Sequence, residues 1–404
     1  MAKPDVKLLM VTTDNNNKFY NLHDNDNSTM TVTYGRFGSD GTVKNYDISE
    51  WDKILNSKLK KGYTDVTKNN ATVGEYAACS DAEINKLLNE FLENSRQYVA
   101  HFTETTFISD IAADNAQYQI NLLGKNMDVD NPDQNTLNAF NKILLEIFKI
   151  IPRKMKNVND AICKSLDDRG SFIVNEQQLL DNLKNMSKNA PSSTKSQTIE
   201  DAFGFNIIRC TPAEEDFLKD KLNKDGFRKT FVRAFKVKTP AREAGFTEYL
   251  ENNHLANNDT NVKLYWHGTS TENLLSILAN GLLISPCNTV KCGSAYGNGI
   301  YTAPDADKAT GYTSISGAAW KNEHSNIGYV FLTAVIMGKM FDVKNNTEKY
   351  GNISISNLDG DKFSQADLGY HSVYAHAGGY LRRDEAIVYN QNQVACRFLV
   401  EFKG

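Results

Sequence analysis

Hydrophobic spacing along this chain changes its period twice, so no single repeating architecture accommodates the whole of it. Up to about Thr67, large apolar and polar residues alternate, as in KFYNL (Lys18 to Leu22) and TMTVTYGRFG (Thr29 to Gly38), with Asn/Asp-rich turns between. A period of two places alternate side chains on opposite faces of a strand. The run WDKILNSKLKKGY (Trp51 to Tyr63) then reads as a short helix carrying Lys53, Lys58, Lys60 and Lys61. From Ser80 the spacing becomes helical. Ile84, Leu87, Leu88, Phe91 and Leu92 mark a first helix, which the Ser80–Glu83 spacing would open with a capping box. Leu137, Phe140, Leu144, Ile147, Phe148 and Ile151 mark a second, ended by Pro152, and Leu179, Leu180, Leu183 and Met186 a third. SKNAPSSTKSQ (Ser187 to Gln197) is a polar, Pro/Ser-rich linker. Beyond it the pattern is mixed. Strand candidates are VKLYW, GIYTA, YVFLTAVIM, EAIVY and RFLVEF, with a long irregular stretch from Lys344 to Arg383 of the kind that is usually functional. The chain has no internal repeat. It is expected to be a multidomain α+β protein, with boundaries near 1–70, 78–188 and 198–404.

The bulk numbers agree. At about 100–200 residues per domain, 404 residues imply two to four domains. With 40% hydrophobic and 23% charged residues, every segment has the material for a packed core. A net charge of −4 argues against a wholesale polyanion binder, though not against one basic face. Of the six cysteines only Cys287 and Cys292 lie close together. Their spacing lacks a second Cys or His pair, so no metal site is expected. Scattered thiols, an N-terminal apolar run too short for a signal peptide, and a longest apolar run (Tyr329 to Met337) far below a span of roughly 20 residues read as a soluble, intracellular protein of cytoplasm or nucleoid/nucleus, with no membrane partner.

Three short stretches carry candidate chemistry. In YWHGTSTENLLSILANGL a strand hands over to a helix at His267–Gly268. Thr269 and Glu272 have capping-box spacing, Leu274, Ile277 and Leu278 form a buried face, and Gly281 suits a left-handed end. His267 has no such structural purpose there. GSAYGNGIYTA places three glycines within seven residues, which lets backbone approach a ligand closely. Tyr301 and Tyr312, on either side of PDADKATG, are spaced to sandwich a flat ring. In RRDEAIVY, Glu385 opens an apolar strand, where a carboxylate facing a cleft can accept a sugar hydroxyl proton or stabilise developing positive charge.

In this order the stretches resemble the catalytic domain of the poly(ADP-ribose) polymerases, ADP-ribosyltransferases with a His-Tyr-Glu triad. The matching residues are His267, Tyr301 and Glu385, with Gly268, Thr269, Lys308 and Tyr312 where the family uses them, over roughly Gln197 to Gly404. The resemblance implies a domain of two packed sheets and NAD as ADP-ribose donor. His267 would hold the adenine ribose, Gly268 the carboxamide, Tyr301 and Tyr312 the nicotinamide ring, and Glu385 the nicotinamide-ribose 2′-hydroxyl. TYGRFG (Thr33 to Gly38) resembles the core of a WGR domain, with Tyr34 where the family has Trp. Such a domain grips DNA ends, through Tyr34, Arg36 and phosphate contacts from Lys53, Lys58, Lys60 and Lys61. The intervening helices would be the family's regulatory domain, which restrains NAD access until DNA binds. Two further departures are Ala309 for a serine that bonds the carboxamide, and Leu283 for an arginine near the adenine ribose. The implied function is NAD-dependent ADP-ribosylation of proteins, the chain itself included, polymer-forming and stimulated by DNA ends. A mono(ADP-ribosyl)transferase and a DNA-end-binding protein with a silent transferase domain stand as alternatives. Glu385 argues against the first, the intact triad against the second.

Overall fold

The computed structural model describes residues 3–67, 75–188, 197–284, 295–316, 326–345, 347–366, 368–378 and 381–404. The chain divides into two compact units that do not follow chain order. Met1–Val73 with Gln97–Lys188 form one, and Gly74–Arg96 with Asn189–Gly404 the other.

The first unit opens with five strands, β1 (Val6–Thr12), β2 (Asn16–Asp24), β3 (Thr29–Arg36), β4 (Thr42–Asp47) and β5 (Thr64–Asp65), and one helix, α1 (Trp51–Lys60). They form an antiparallel sheet in the order β4-β3-β2-β1-β5. Alternation places Leu8, Tyr20, Leu22, Met30 and Val32 on one face, where they enclose Trp51 of α1. Four helices complete the unit: α3 (Asp110–Met127), α4 (Gln134–Ile150), α5 (Val158–Ala161) and α6 (Arg169–Lys188), together with the end of α2 (Ala82–Phe102) from Gln97 on. A true capping box, Asp133 with Thr136, opens α4, and its expected stripe is buried. The sheet is fastened to the helical segment by polar groups. Asn17 of β2, fully buried, donates to the carbonyls of Arg153 (3.2 Å) and Met155 (3.3 Å), and Asn15 accepts from the Val158 N–H at 2.9 Å. Beneath them Arg153 and Glu176 form a buried ion pair, in which burial raises the Glu176 carboxyl against the pull of Arg153.

The second unit takes α2 through Arg96, then α7 (Ile199–Phe203), β6 (Asn206–Arg209), α8 (Pro212–Lys224), β7 (Thr230–Lys238), α9 (Pro240–Asn252), β8 (Val262–Gly268) and α10 (Leu274–Asn280). It continues with β9 (Ile300–Thr302), α11 (Ala306–Thr310), β10 (Ile327–Ile336), β11 (Met340–Val343), β12 (Lys349–Tyr350), β13 (Ile353–Ser354), α12 (Gly360–Gln365), β14 (Ser372–Ala375), β15 (Glu385–Val388) and β16 (Val394–Lys403). Two sheets result, in the orders β6-β7-β16-β10-β8 and β11-β14-β15-β9, with a small β12-β13 hairpin beside them. The sheets pack on one apolar cluster that includes Phe331, Val335 and Leu399 from the first and Ile300, Ala386 and Val388 from the second. Ile84, Leu87, Leu88, Phe91 and Leu92 of α2 complete the same cluster. The start of that helix therefore belongs to the core of the C-terminal unit.

Four local expectations are corrected. Asp81, not Ser80, caps α2: its carboxylate accepts from the Glu83 and Ile84 N–H groups, and the Arg209 guanidinium grips it at 2.7 and 2.8 Å. Thr269 and Glu272 form no capping box, because residues 271–273 make a 3₁₀ turn and the Thr271 N–H is taken by Ser314 Oγ at 2.7 Å. Gly281 has φ +70° but ψ −173°, so it is not left-handed helical, although that backbone still favours glycine. Lys344 to Arg383 is not an irregular loop: it contains the hairpin, α12 and β14, and β14 is an interior strand of the second sheet.

Removing one partner of a buried ion pair leaves the other charge uncompensated. Arg153→Ala should destabilise the first unit by about 3–5 kcal/mol, read as a lowered unfolding midpoint. An unchanged midpoint would show that water reaches Glu176.

Candidate functional site

The end of β8 and the residue that follows β9 are stitched by a two-way backbone bridge. Trp266 and Ala303 exchange N–H···O bonds of 2.8 Å in each direction. This places His267 beside Tyr301, and Nδ1 of His267 donates to the Tyr301 carbonyl at 2.9 Å. Nδ1 therefore carries a proton. Tyr301 pairs with Ile387 of β15, which puts its ring on the same sheet as Glu385, two residues away along the neighbouring strand. Its hydroxyl donates to the Gly297 carbonyl (2.7 Å) and accepts from the Tyr296 N–H (3.0 Å). Burial raises the phenol well above its usual range, so it stays neutral.

Glu385 is 4% exposed. Its Oε1 receives Lys308 Nζ at 2.7 Å, and the same ammonium donates to the carbonyls of Arg383 (2.8 Å) and Asp384 (3.3 Å). Three acceptors match the three donors of an ammonium. Burial raises the Glu385 carboxyl, and the Lys308 hydrogen bond and charge oppose that rise. Oε2 is buried and accepts no hydrogen bond among the described residues. A buried acceptor left so is costly, and a ligand hydroxyl would satisfy it.

Gly268 lies against α11 so closely that a Cβ there would stand 1.8 Å from the Ala309 carbonyl oxygen. The remaining residues fall around this centre. Thr269 Oγ1 accepts from the Asn273 side chain at 3.3 Å. Tyr312 follows α11 and is half-exposed, its phenol raised by burial and by the Glu385 charge. Ala309 is buried in an apolar cluster with Trp266 and Ala306, while Leu283 is largely exposed. Cys287 and Cys292 lie outside the described residues. Among the described residues no group of His, Cys, Asp and Glu is arranged to hold a metal, and no helix is long and apolar enough to cross a membrane.

Sequence reasoning missed Asp305, Asp307 and Arg383. Asp305 accepts the Lys308 N–H at 2.8 Å and so caps α11. Arg383 pairs with Asp305 and, at 3.1 Å, with Asp307. The spacing Asp305-x-x-Lys308 was a readable cap signal, whereas the Arg383 partners lie 76 and 78 residues away.

In the first unit, Tyr34 stacks on Tyr20 with ring centroids 5.5 Å apart and planes at 24°. Lys58 lies 3.9 Å over the Tyr20 ring and 5.6 Å from that of Tyr63, and Lys44 lies 5.8 Å from Tyr34. Burial, then the charges of Lys61 and Lys18, lower the Lys58 ammonium, and burial raises the Tyr20 phenol to about 12. Lys53 and Lys60 of α1 and Lys61 just after it are exposed. Arg36 is committed elsewhere: its guanidinium donates to the Asn15 carbonyl (3.3 Å) and side chain (2.8 Å). The sequence did not disclose that Tyr20 and Lys44 meet Tyr34, which only strand register decides.

Family comparison matches residues 214–404 to the poly(ADP-ribose) polymerase catalytic domain and residues 6–70 to the WGR domain. The chain belongs to the poly(ADP-ribose) polymerase family. Among its relatives, protein 101L of Invertebrate iridescent virus 6 is 35% identical over 56% of this chain and 97% of its own length. The poly [ADP-ribose] polymerase tankyrase of Caenorhabditis elegans is 31% identical over 36% of this chain, and human poly [ADP-ribose] polymerase 2 is 26% identical over 43%. The matches span only 7% and 30% of those two proteins. As a family member the chain carries an NAD-dependent ADP-ribosyltransferase domain, with NAD as ADP-ribose donor.

Two outcomes are expected. Gly268→Ala should abolish transfer and displace α11, seen as lost NAD turnover in a protein that still folds. Lys308→Met removes the group that lowers Glu385, so its carboxylate forms only at higher pH. The acidic limb of the pH–rate profile should move upward, each unit of displacement representing about 1.4 kcal/mol; an unmoved limb would free Glu385 of its dependence on Lys308.

Proposed function

We propose that the chain transfers ADP-ribose from NAD to protein acceptors, itself among them, builds poly(ADP-ribose), and is stimulated by DNA ends. The observation that carries the reading is Glu385: a buried carboxylate held by an ammonium through one oxygen, with the other oxygen accepting nothing among the described residues. That oxygen suits the nicotinamide-ribose 2′-hydroxyl. Fixed in place, the carboxylate stabilises the oxocarbenium character that grows as the nicotinamide–ribose bond breaks, and it polarises the attacking hydroxyl. His267, oriented by the Nδ1 bond to Tyr301, would meet a ribose hydroxyl of the adenosine half. Gly268, Tyr301 and Tyr312 would frame the nicotinamide ring.

The Tyr20–Tyr34 stack with Lys58 and Lys44, beside Lys53, Lys60 and Lys61, supports an interface for nucleic-acid ends. Aromatic faces stack on sugar or base, and ammonium groups meet phosphates. Arg36 supports coupling within this unit, because it holds Asn15, which holds the Val158 N–H of the helical segment. The 78–188 helices would act as the restraint on NAD access.

Incubation with labelled NAD, with and without DNA ends, tests the reading by product length. Long chains that appear only with ends support it, single units favour the mono-transferase, and no product in any condition leaves a silent domain. Glu385→Gln should lose polymer before it loses all NAD turnover. Tyr34→Ala should raise the concentration of ends needed for half-maximal stimulation, and binding of ends should weaken steeply with salt.

A further inference from the structure

Helix α11 is five residues long, too short to hold a position by its own hydrogen bonds. Yet it presents Lys308 to Glu385 and its Ala309 carbonyl to Gly268. Its place must come from tertiary ties. At its start the Ala306 N–H donates to the Asp225 carbonyl at 2.8 Å. On the side facing β15, Arg383 spans two carboxylates that flank the first turn, Nη1 to Asp305 and Nη2 to Asp307 at 3.1 Å. Asp305 meanwhile caps the helix by accepting the Lys308 N–H. The backbone carbonyl of Arg383 accepts from Lys308 Nζ at 2.8 Å. One residue therefore touches α11 twice, by its fork and by its backbone, two positions before Glu385.

We propose that Arg383 is a positioning residue for the transfer reaction: its guanidinium, clamped between Asp305 and Asp307, fixes α11 against the mouth of β15 and thereby holds the Lys308 ammonium on Glu385. This rests on the reading of Glu385 given above. A guanidinium suits the task because its planar fork reaches two carboxylates at once, where an ammonium is a single point charge. Its loss would do more than loosen the helix. Asp305 and Asp307 would remain next to Lys308 without a cation, and their charge would compete with Glu385 for it. The groups facing Glu385 are Lys308 and Tyr312 from α11 and the turn after it, and Tyr301 and Tyr296 from β9 and its approach; before β15, Arg383 is turned to Asp305 and Asp307, and the Asp384 carboxylate to the Tyr374 hydroxyl and the Ala377 N–H. Lys308 is the cation that touches the carboxylate, so its displacement dominates.

The test reads Glu385 directly, by carboxyl carbon NMR of protein labelled at glutamate, with Glu385→Gln assigning the signal. Arg383→Gln should move the Glu385 titration upward by about one pH unit and lower kcat/KM roughly 10-fold. Arg383→Lys should fall between it and wild type. Lys308→Met combined with Arg383→Gln should move the titration no further than Lys308→Met alone, since both act through one ammonium. Should Arg383→Gln fail to fold, Asp307→Asn opens the clamp from the other side and leaves the Asp305 cap intact, with the same titration read. An Arg383→Gln titration equal to wild type while Lys308→Met is displaced would overturn the proposal, as would fully additive shifts in the double variant. Absence of any ADP-ribosylated product from wild type, with the titrations as expected, would instead overturn the transferase reading and leave the clamp standing.

Discussion

A buried ammonium–carboxylate pair holds only where hydrogen bonds replace the lost water around both ions. In the Lys308–Glu385 pair the ammonium is fully provided for, by one carboxylate oxygen and two carbonyls. Among the described residues the carboxylate is provided for on one side. That imbalance gives the C-terminal unit its chemical direction. It needs β15 to carry Glu385 into the interior, α11 to deliver Lys308, and the Trp266–Ala303 bridge to bring β8 alongside. The two sheets are the means by which three chain segments far apart in sequence reach one point.

Stability and site geometry share residues here. Gly268 is required because Ala309 leaves no room for a Cβ, and Ala309 is so placed because α11 is tied down at its start and through Lys308. A short element at a reactive centre gains precision from such ties without needing intrinsic helix stability. In the N-terminal unit the same economy appears in Asn15 and Asn17. Two side-chain amides next to a turn carry the polar connection from the sheet to the helical segment.

The split of α2 has a plain physical cause. Its stripe from Ile84 to Leu92 is buried with Phe331 and Leu399, whereas Tyr98 and Phe102, beyond Arg96, meet edge to face within the other unit. Local spacing shows that a helix is amphipathic, but not which core receives each part of its apolar face.

Much was legible from sequence because it depends on neighbours. The alternating strands of the first segment, the long stripe of α4 and the burial of Leu274, Ile277 and Leu278 all follow from residue period. The triad candidates were readable because glycines, a histidine and a glutamate at strand ends are conspicuous against such a pattern. What sequence left undecided depends on residues distant in the chain. Asp81 caps α2 with Arg209 gripping it from 128 residues away. Thr271 gives its N–H to Ser314 instead of a local cap. The stretch before Arg383 looked irregular because β14, four residues long and interior, gains its strand character from β11 and β15 and shows no alternation of its own. The sequence by itself determined the classes of element and the residues with chemical potential. Tertiary structure alone decided that Lys308 meets Glu385, that Arg383 clamps Asp305 and Asp307, and that Arg36 turns inward to Asn15, because burial and charge pairing act through space and not along the chain.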